Sequence, residues 1–269
     1  MEGNKSLLEI QIYTRKFFRT LKKESIISIF IGVIITLLVM TVTHENMFEN
    51  FEGTKSGMFS LICVCVWIGI FNSIQLVCRE KNDIVKDELD KSLKPTSYMA
   101  SHFIYQFFLC AIQSVIVFVI FYIYVGGKDM FSGSPFVYLI TIFLITYASD
   151  AMAFVISCSV PNPIVAMTVM PLLLLIQLVM AGVLFELKGV SEAISYVTIS
   201  KWGMETLGSI GSITELQSRT GFISDTDITA YSGDGGDIIL RWLILIVFTA
   251  AFYFISVFTL KMTTKRIKK

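Results

Sequence analysis

The chain has 269 residues, 54% of them hydrophobic, with a formal net charge of +1 and a mean hydropathy of +0.71. A soluble domain carries roughly 45–50% apolar residues, so composition excludes that class. The apolar runs are continuous and not alternating, which excludes the strands of a membrane β-barrel.

Runs of roughly 18 or more apolar residues read as transmembrane helices, and six are predicted: Ser25–Thr43, Met58–Cys78, Tyr98–Val125, Pro135–Cys158, Ile164–Leu187 and Ile238–Lys261. Of the 22 Lys and Arg residues, 16 fall in the N-terminal segment, the loop after the second run and the C-terminus. The positive-inside rule therefore predicts both termini and that loop in the cytosol. An even number of spans agrees with it.

Residues 1–24 interleave Leu7, Leu8, Ile10, Phe17 and Phe18 with Arg15, Lys16, Arg19 and Lys22. The pattern predicts an amphipathic helix lying at the cytosolic interface, ahead of a membrane region over 25–269. His44, in the short acidic outer loop that follows the first span, is expected to be solvated. Asn72, Ser73 and Gln75 close the second span. Polar side chains there serve as packing partners or line a wet path.

The charged stretch REKNDIVKDELDKSLKP follows, within the cytosolic segment 79–97. Arg79, Glu80, Asp83, Lys86, Asp87, Glu88, Asp90 and Lys91 alternate in sign, while Ile84, Val85, Leu89 and Leu93 recur at near-helical spacing. An amphipathic helix ending before Pro95 is predicted. The third span carries His102, Gln106 and Gln113. A lone His there is a titrating group or a packing residue.

Asp150 is the one acid well inside an apolar run. It is either a functional intramembrane acid or one end of a structural hydrogen bond to Tyr147, Ser149 or a neighbouring span. A proline turn, SVPNP, leads to the fifth span, where Pro171 is expected to introduce a kink. From 186 to 237 the chain is extracytosolic by this topology. FELKGVSEAISYVTISKWGMETLGSIG is too broken to span and predicts short re-entrant or interfacial helices, with Tyr196 and Trp202 at the water–lipid boundary.

No catalytic constellation and no metal site is found. The cysteines Cys63 and Cys65 lack His or carboxylate partners, and VGGKD lacks the spacing of a phosphate loop. No cofactor is expected on this chain and no nucleic-acid partner.

Two stretches carry a resemblance. In REKNDIVKDELDKSLKPTSYMASHFIYQ, Glu80, Glu88 and Tyr98 stand where an acidic coupling stretch precedes a third span. In FELKGVSEAISYVTISKWGMETLGS, Trp202, Gly203 and Met204 form an aromatic–Gly–Met segment. With the order of elements, they make the chain resemble the permeases of type-2 ABC transporters, particularly those like the G subfamily of White and multidrug-resistance half-transporters. Unlike many of those, it carries no Walker A or signature motif.

The resemblance implies an all-α membrane protein with six spans, a cytosolic coupling helix and extracytosolic re-entrant helices before the last span. It implies a multi-pass permease subunit of a cell-membrane exporter for an amphipathic or hydrophobic substrate such as a lipid, drug or peptide. A separate ABC ATPase subunit, binding ATP and Mg, would dock under Arg79–Pro95, and a second permease chain would complete a homo- or heterodimer in the membrane lipid. Phe71, Asn72, Gln75, Met167, Met170 and Leu174 would line the substrate pathway. Phe185, Trp202 and Met204 would belong to the outer gate. The rival is an ion-coupled secondary transporter using Asp150.

Overall fold

The computed structural model describes residues 11, 14, 22–89, 95–128, 133–185, 187–220, 231 and 235–267. Among these every regular element is helical: α1 (Lys22–Thr43), α2 (Phe51–Ser73), α3 (Leu76–Leu89), α4 (Pro95–Val125), α5 (Pro135–Ser159), α6 (Pro163–Val179), α7 (Val190–Ser195), α8 (Ile199–Ile210), α9 (Ile213–Thr220) and α10 (Gly235–Ile267). Gln11 and Thr14 are helical; the rest of the predicted interfacial helix, up to Leu21, lies outside the described residues.

Among the described residues five helices are long and apolar enough to cross a membrane: α1, α2 continuing into the start of α3, α4, α5 and α10. The fifth predicted span differs. Its helix, α6, has 17 residues and ends at Val179, before the predicted Leu187. Gly182, at φ +72°, follows in a segment of turns and bends. The second span differs too. Its helix begins at Phe51, capped by the Asn50 side chain accepting from Gly53 N–H, and it breaks at Ile74–Gln75, inside the predicted run.

Burial ranks the helices. α2 and α5 form the centre, packed on each other, with α4 and α10 against α5 and α1 against α2 and α4. In the apolar windows of α1 and α10 only 17% of residues are buried, against 67% and 61% for α2 and α5. The outer helices turn Phe30, Leu38, Val42, Leu240, Val247 and Phe258 outward, as lipid-facing helices do. Gly69 lets α2 and α5 approach closely. A Cβ there would lie 2.3 Å from the Thr146 carbonyl and 2.9 Å from the Asp150 nitrogen.

One end of the bundle gathers the start of α1, the end of α2, α3, the start of α4 and the end of α5. The opposite end is closed by α7–α9. There Lys128 Nζ donates to the carbonyls of His44 and Glu45, both at 2.6 Å, and pairs with Glu49 at 3.0 Å. His44 is half-buried edge-on to Tyr124, its Nδ1 2.9 Å from the Met40 carbonyl, and not simply solvated.

Candidate functional site

Three polar assemblies sit at the α3 end, and adjacent residues of α2 begin two of them. Asn72 joins α1, α2 and α4. Ser28 Oγ donates to Asn72 Oδ1 at 2.5 Å, Asn72 Nδ2 donates to Gln113 Oε1 at 2.7 Å, and Gln113 Nε2 returns to Ser28 Oγ at 3.1 Å. Ser73 joins α2, α4 and α5: its hydroxyl donates to Asp150, and it accepts from Gln106 Nε2 at 3.1 Å. Interhelical bonds of this kind average about 0.6 kcal/mol in a membrane, so they set register more than they supply stability.

Asp150 is fully buried, with Oδ2 lacking a hydrogen-bond partner among the described residues. Its serine partner is on a neighbouring span. Tyr147 instead donates to the Phe103 carbonyl at 3.2 Å.

The third assembly is built by the break at Ile74–Gln75. A helix starting at Leu76 leaves first-turn N–H groups without intrahelical acceptors. Ser157, on α5, supplies one: its Oγ accepts from Val77 N–H at 3.0 Å and Cys78 N–H at 3.2 Å. The end of α5 leaves carbonyls open in the same way, and α3 answers. Buried Lys81 donates from Nζ to the Val160 carbonyl at 2.9 Å and the Cys158 carbonyl at 3.4 Å. A cation at a helix C-terminus is also the favourable sign for the helix dipole. Each helix thus caps the other.

Glu80 pins α3 to α4. It accepts from the Tyr98 hydroxyl at 2.5 Å and lies 3.6 Å from His102 Nε2. His102 is fully buried between Tyr98 and Phe154. Tyr98 is the position the resemblance marks, while Lys81 and Ser157 carried no signal in the sequence because their partners are backbone groups of a distant helix. Asp83, Lys86, Asp87 and Glu88 lie on α3, but their side chains fall outside the described residues, as do Asp90 and Lys91 entirely.

Beside the first two assemblies lies a cleft of about 300 Å³. Its walls bring together Phe71, Asn72, Gln75 and Met167 from the predicted pathway, with Arg79 and Gln106. Met170 and Leu174 are instead buried in the core of the bundle. Arg79 hydrogen-bonds Gln75 on the cleft wall.

The predicted outer residues are not gathered at one point. Met204 is buried in the core, Trp202 is half-buried with Nε1–H donating to the Tyr196 carbonyl at 2.9 Å, and Phe185 is exposed. Sequence reading passed over the residues that hold this end. Glu205 pairs with Lys201 at 2.9 Å and with Arg241 at 3.5 Å, and Arg241 also donates to Ser209 at 2.5 Å, tying α8 to α10. Gln177 ties α6 to α8 by accepting from Ser200 N–H at 3.1 Å. Tyr231 lies against Gly208, and burial, with the charges of Glu205 and Glu52 adding, pushes its hydroxyl up to about 12.

No curated protein matches the chain. Residues 9–210, however, match the family described as ABC-2 type transporter. A match that runs from ahead of α1 through the last turn of α8 shows that the chain belongs to the ABC-2 type transporter family, as a multi-pass permease component.

Proposed function

We propose that this permease works in an ATP-driven exporter of amphipathic or hydrophobic cargo in the cell membrane, with both termini and α3 on the cytosolic side. ATP and Mg are bound by a separate ATPase subunit that docks beneath α3, and a second permease chain, identical or similar, completes the pathway. The apolar residues that α6 leaves outward, among them Ile164, Leu172 and Leu175, suit that second chain or lipid.

The observation that carries this reading is the mutual capping of α3 and α5. α3 is charged along its length and held at its base to α4 by Glu80 and to α5 by Lys81 and Ser157. A push on α3 therefore reaches two spans through short polar links and not through a slack loop. α2 and α4 line the cleft beside it. The ion-coupled reading on Asp150 is not favoured, because that carboxyl is held by Ser73 within a family of ABC permeases.

The test is co-purification from the native membrane, followed by ATPase and transport assays on Glu80→Ala. A stoichiometric ATP-hydrolysing subunit should accompany the wild-type chain. The variant should fold and bind it, yet hydrolyse ATP without transport. Normal transport by Glu80→Ala, or a chain that purifies alone with no ATP dependence, sinks the proposal.

A further inference from the structure

Five of the nine residues from Lys261 to Lys269 are basic, and no acid follows Asp237. They close α10, which has 33 residues. A rise of about 1.5 Å per residue makes it about 50 Å long, against about 30 Å of hydrocarbon. Arg241 is held to Glu205 and Ser209 of α8 at the α7–α9 end of the bundle. From Arg241 to Lys261 the helix rises about 30 Å, which fills the hydrocarbon, and it then runs on to Ile267.

The two sides of this last part differ. Val257 and Leu260 are buried in one cluster with Ile84 of α3. Thr264 and Ile267, both uncharged, follow Leu260 at four and seven residues, the spacing that keeps to one side of a helix. Phe254, Phe258 and Met262 are exposed on the lipid-facing side. Lys265 and Arg266 follow Met262 at three and four residues, and Lys268 and Lys269 come next in the sequence. The register therefore continues the lipid-facing stripe into basic residues and leaves the positions in phase with Leu260 uncharged.

We propose that this end of α10 is a binding surface for anionic phospholipid headgroups of the leaflet it enters. Headgroups lie just beyond the hydrocarbon, at the level where Lys265 and Arg266 follow the span. Each basic residue close to an anionic leaflet raises association about fivefold, and the attraction fades within a Debye length, so it serves residues that emerge directly from a span. Charges that only set topology have no preferred helix side. Charges that met a subunit under α3 would stand in phase with Leu260. That the leaflet is the cytosolic one rests on the orientation proposed above; that the surface binds anionic lipid does not.

The experiment reads the lipid beside α10 directly. Met262→Trp places a fluorophore on the exposed stripe of the full chain, reconstituted in phosphatidylcholine vesicles containing brominated phosphatidylglycerol or, separately, brominated phosphatidylcholine. Quenching beyond that of the parent chain, with its own Trp67, Trp202 and Trp242, gives the relative association of the two lipids. The anionic lipid should be favoured about fivefold or more at low salt. The preference should vanish at about 1 M salt, where the Debye length is about 3 Å. Lys265→Gln, Arg266→Gln, Lys268→Gln and Lys269→Gln together should bring the two lipids close to parity, whereas Lys265→Arg, Lys268→Arg and Lys269→Arg together should keep the preference.

Parity of the two lipids at low salt, or a preference that survives high salt or the four glutamines, overturns the proposal. So does parity together with loss of a co-purifying ATPase from the glutamine variant, which would give these charges to that subunit. The salt series leaves the basic residues intact, so it decides the matter even if the glutamine variant fails to insert. Protease access to the C-terminus in sealed membrane vesicles of known sidedness separates the two readings. Lipid preference with the C-terminus on the outer side would defeat only the orientation. A cytosolic C-terminus with parity would defeat only this inference.

Discussion

Lys81 and Ser157 cap each other's helices: the Lys81 ammonium holds the last carbonyls of α5, and the Ser157 hydroxyl accepts the first amides of α3. Neither bond is to a side chain. The two helices are therefore coupled through backbone, and α3 cannot shift along its axis without freeing polar groups at both ends.

Lys81→Met should keep the aliphatic stem and lose the cap. Leaving the α5 carbonyls unmet costs about 1–3 kcal/mol, seen as a lower unfolding temperature of the detergent-solubilised chain. Ser157→Ala should show a loss of similar size. The double variant should cost less than the sum, because the two bonds stabilise one joint; simple additivity would refute a shared joint.

Gly69 should tolerate no side chain. Gly69→Ala puts a carbon against the backbone of α5, and overpacking of that kind costs typically about 1–3 kcal/mol. Gly236→Ala is the control. It lies in the first turn of α10 with nothing within 4 Å of the added carbon, and it should be neutral or mildly stabilising. Equal thermal stability of the two variants would show that α2 and α5 do not meet at Gly69.

Asp150→Asn should preserve structure and ATP-dependent transport, since an amide oxygen still accepts from Ser73. Asp150→Leu removes the acceptor and should cost about 1–3 kcal/mol. Loss of transport in the Asn variant with unchanged stability would instead mark the carboxyl as an ion-handling group.

Tyr231 should make the protein sensitive to strong alkali. An unfolded tyrosine ionises near pH 10, whereas burial holds the folded hydroxyl up to about 12. The folded state disfavours the ionised form, so stability is untouched below about pH 10. It falls as pH rises from there towards the folded value. Tyr231→Phe should flatten the decline over that window. An unchanged slope in thermal unfolding against pH would show that Tyr231 is not buried against Gly208.

Patterning along the sequence determined that this is a helical membrane protein and where most spans lie. These follow from local composition, because an apolar run of sufficient length has few alternatives in lipid. The same local reading could not see the break at Ile74–Gln75. Ile74, Leu76 and Val77 are as apolar as any span, and the break is sustained by Ser157, about 80 residues away in the chain. Nor could it separate Asn72 from Ser73, adjacent residues whose helical phase sends one to α1 and α4 and the other to Asp150. Met167 reached the cleft while Met170 and Leu174 turned inward, a division that depends on how α6 packs. Tertiary structure alone decided which polar groups meet, because a hydrogen bond depends on two positions at once and a sequence pattern reports one.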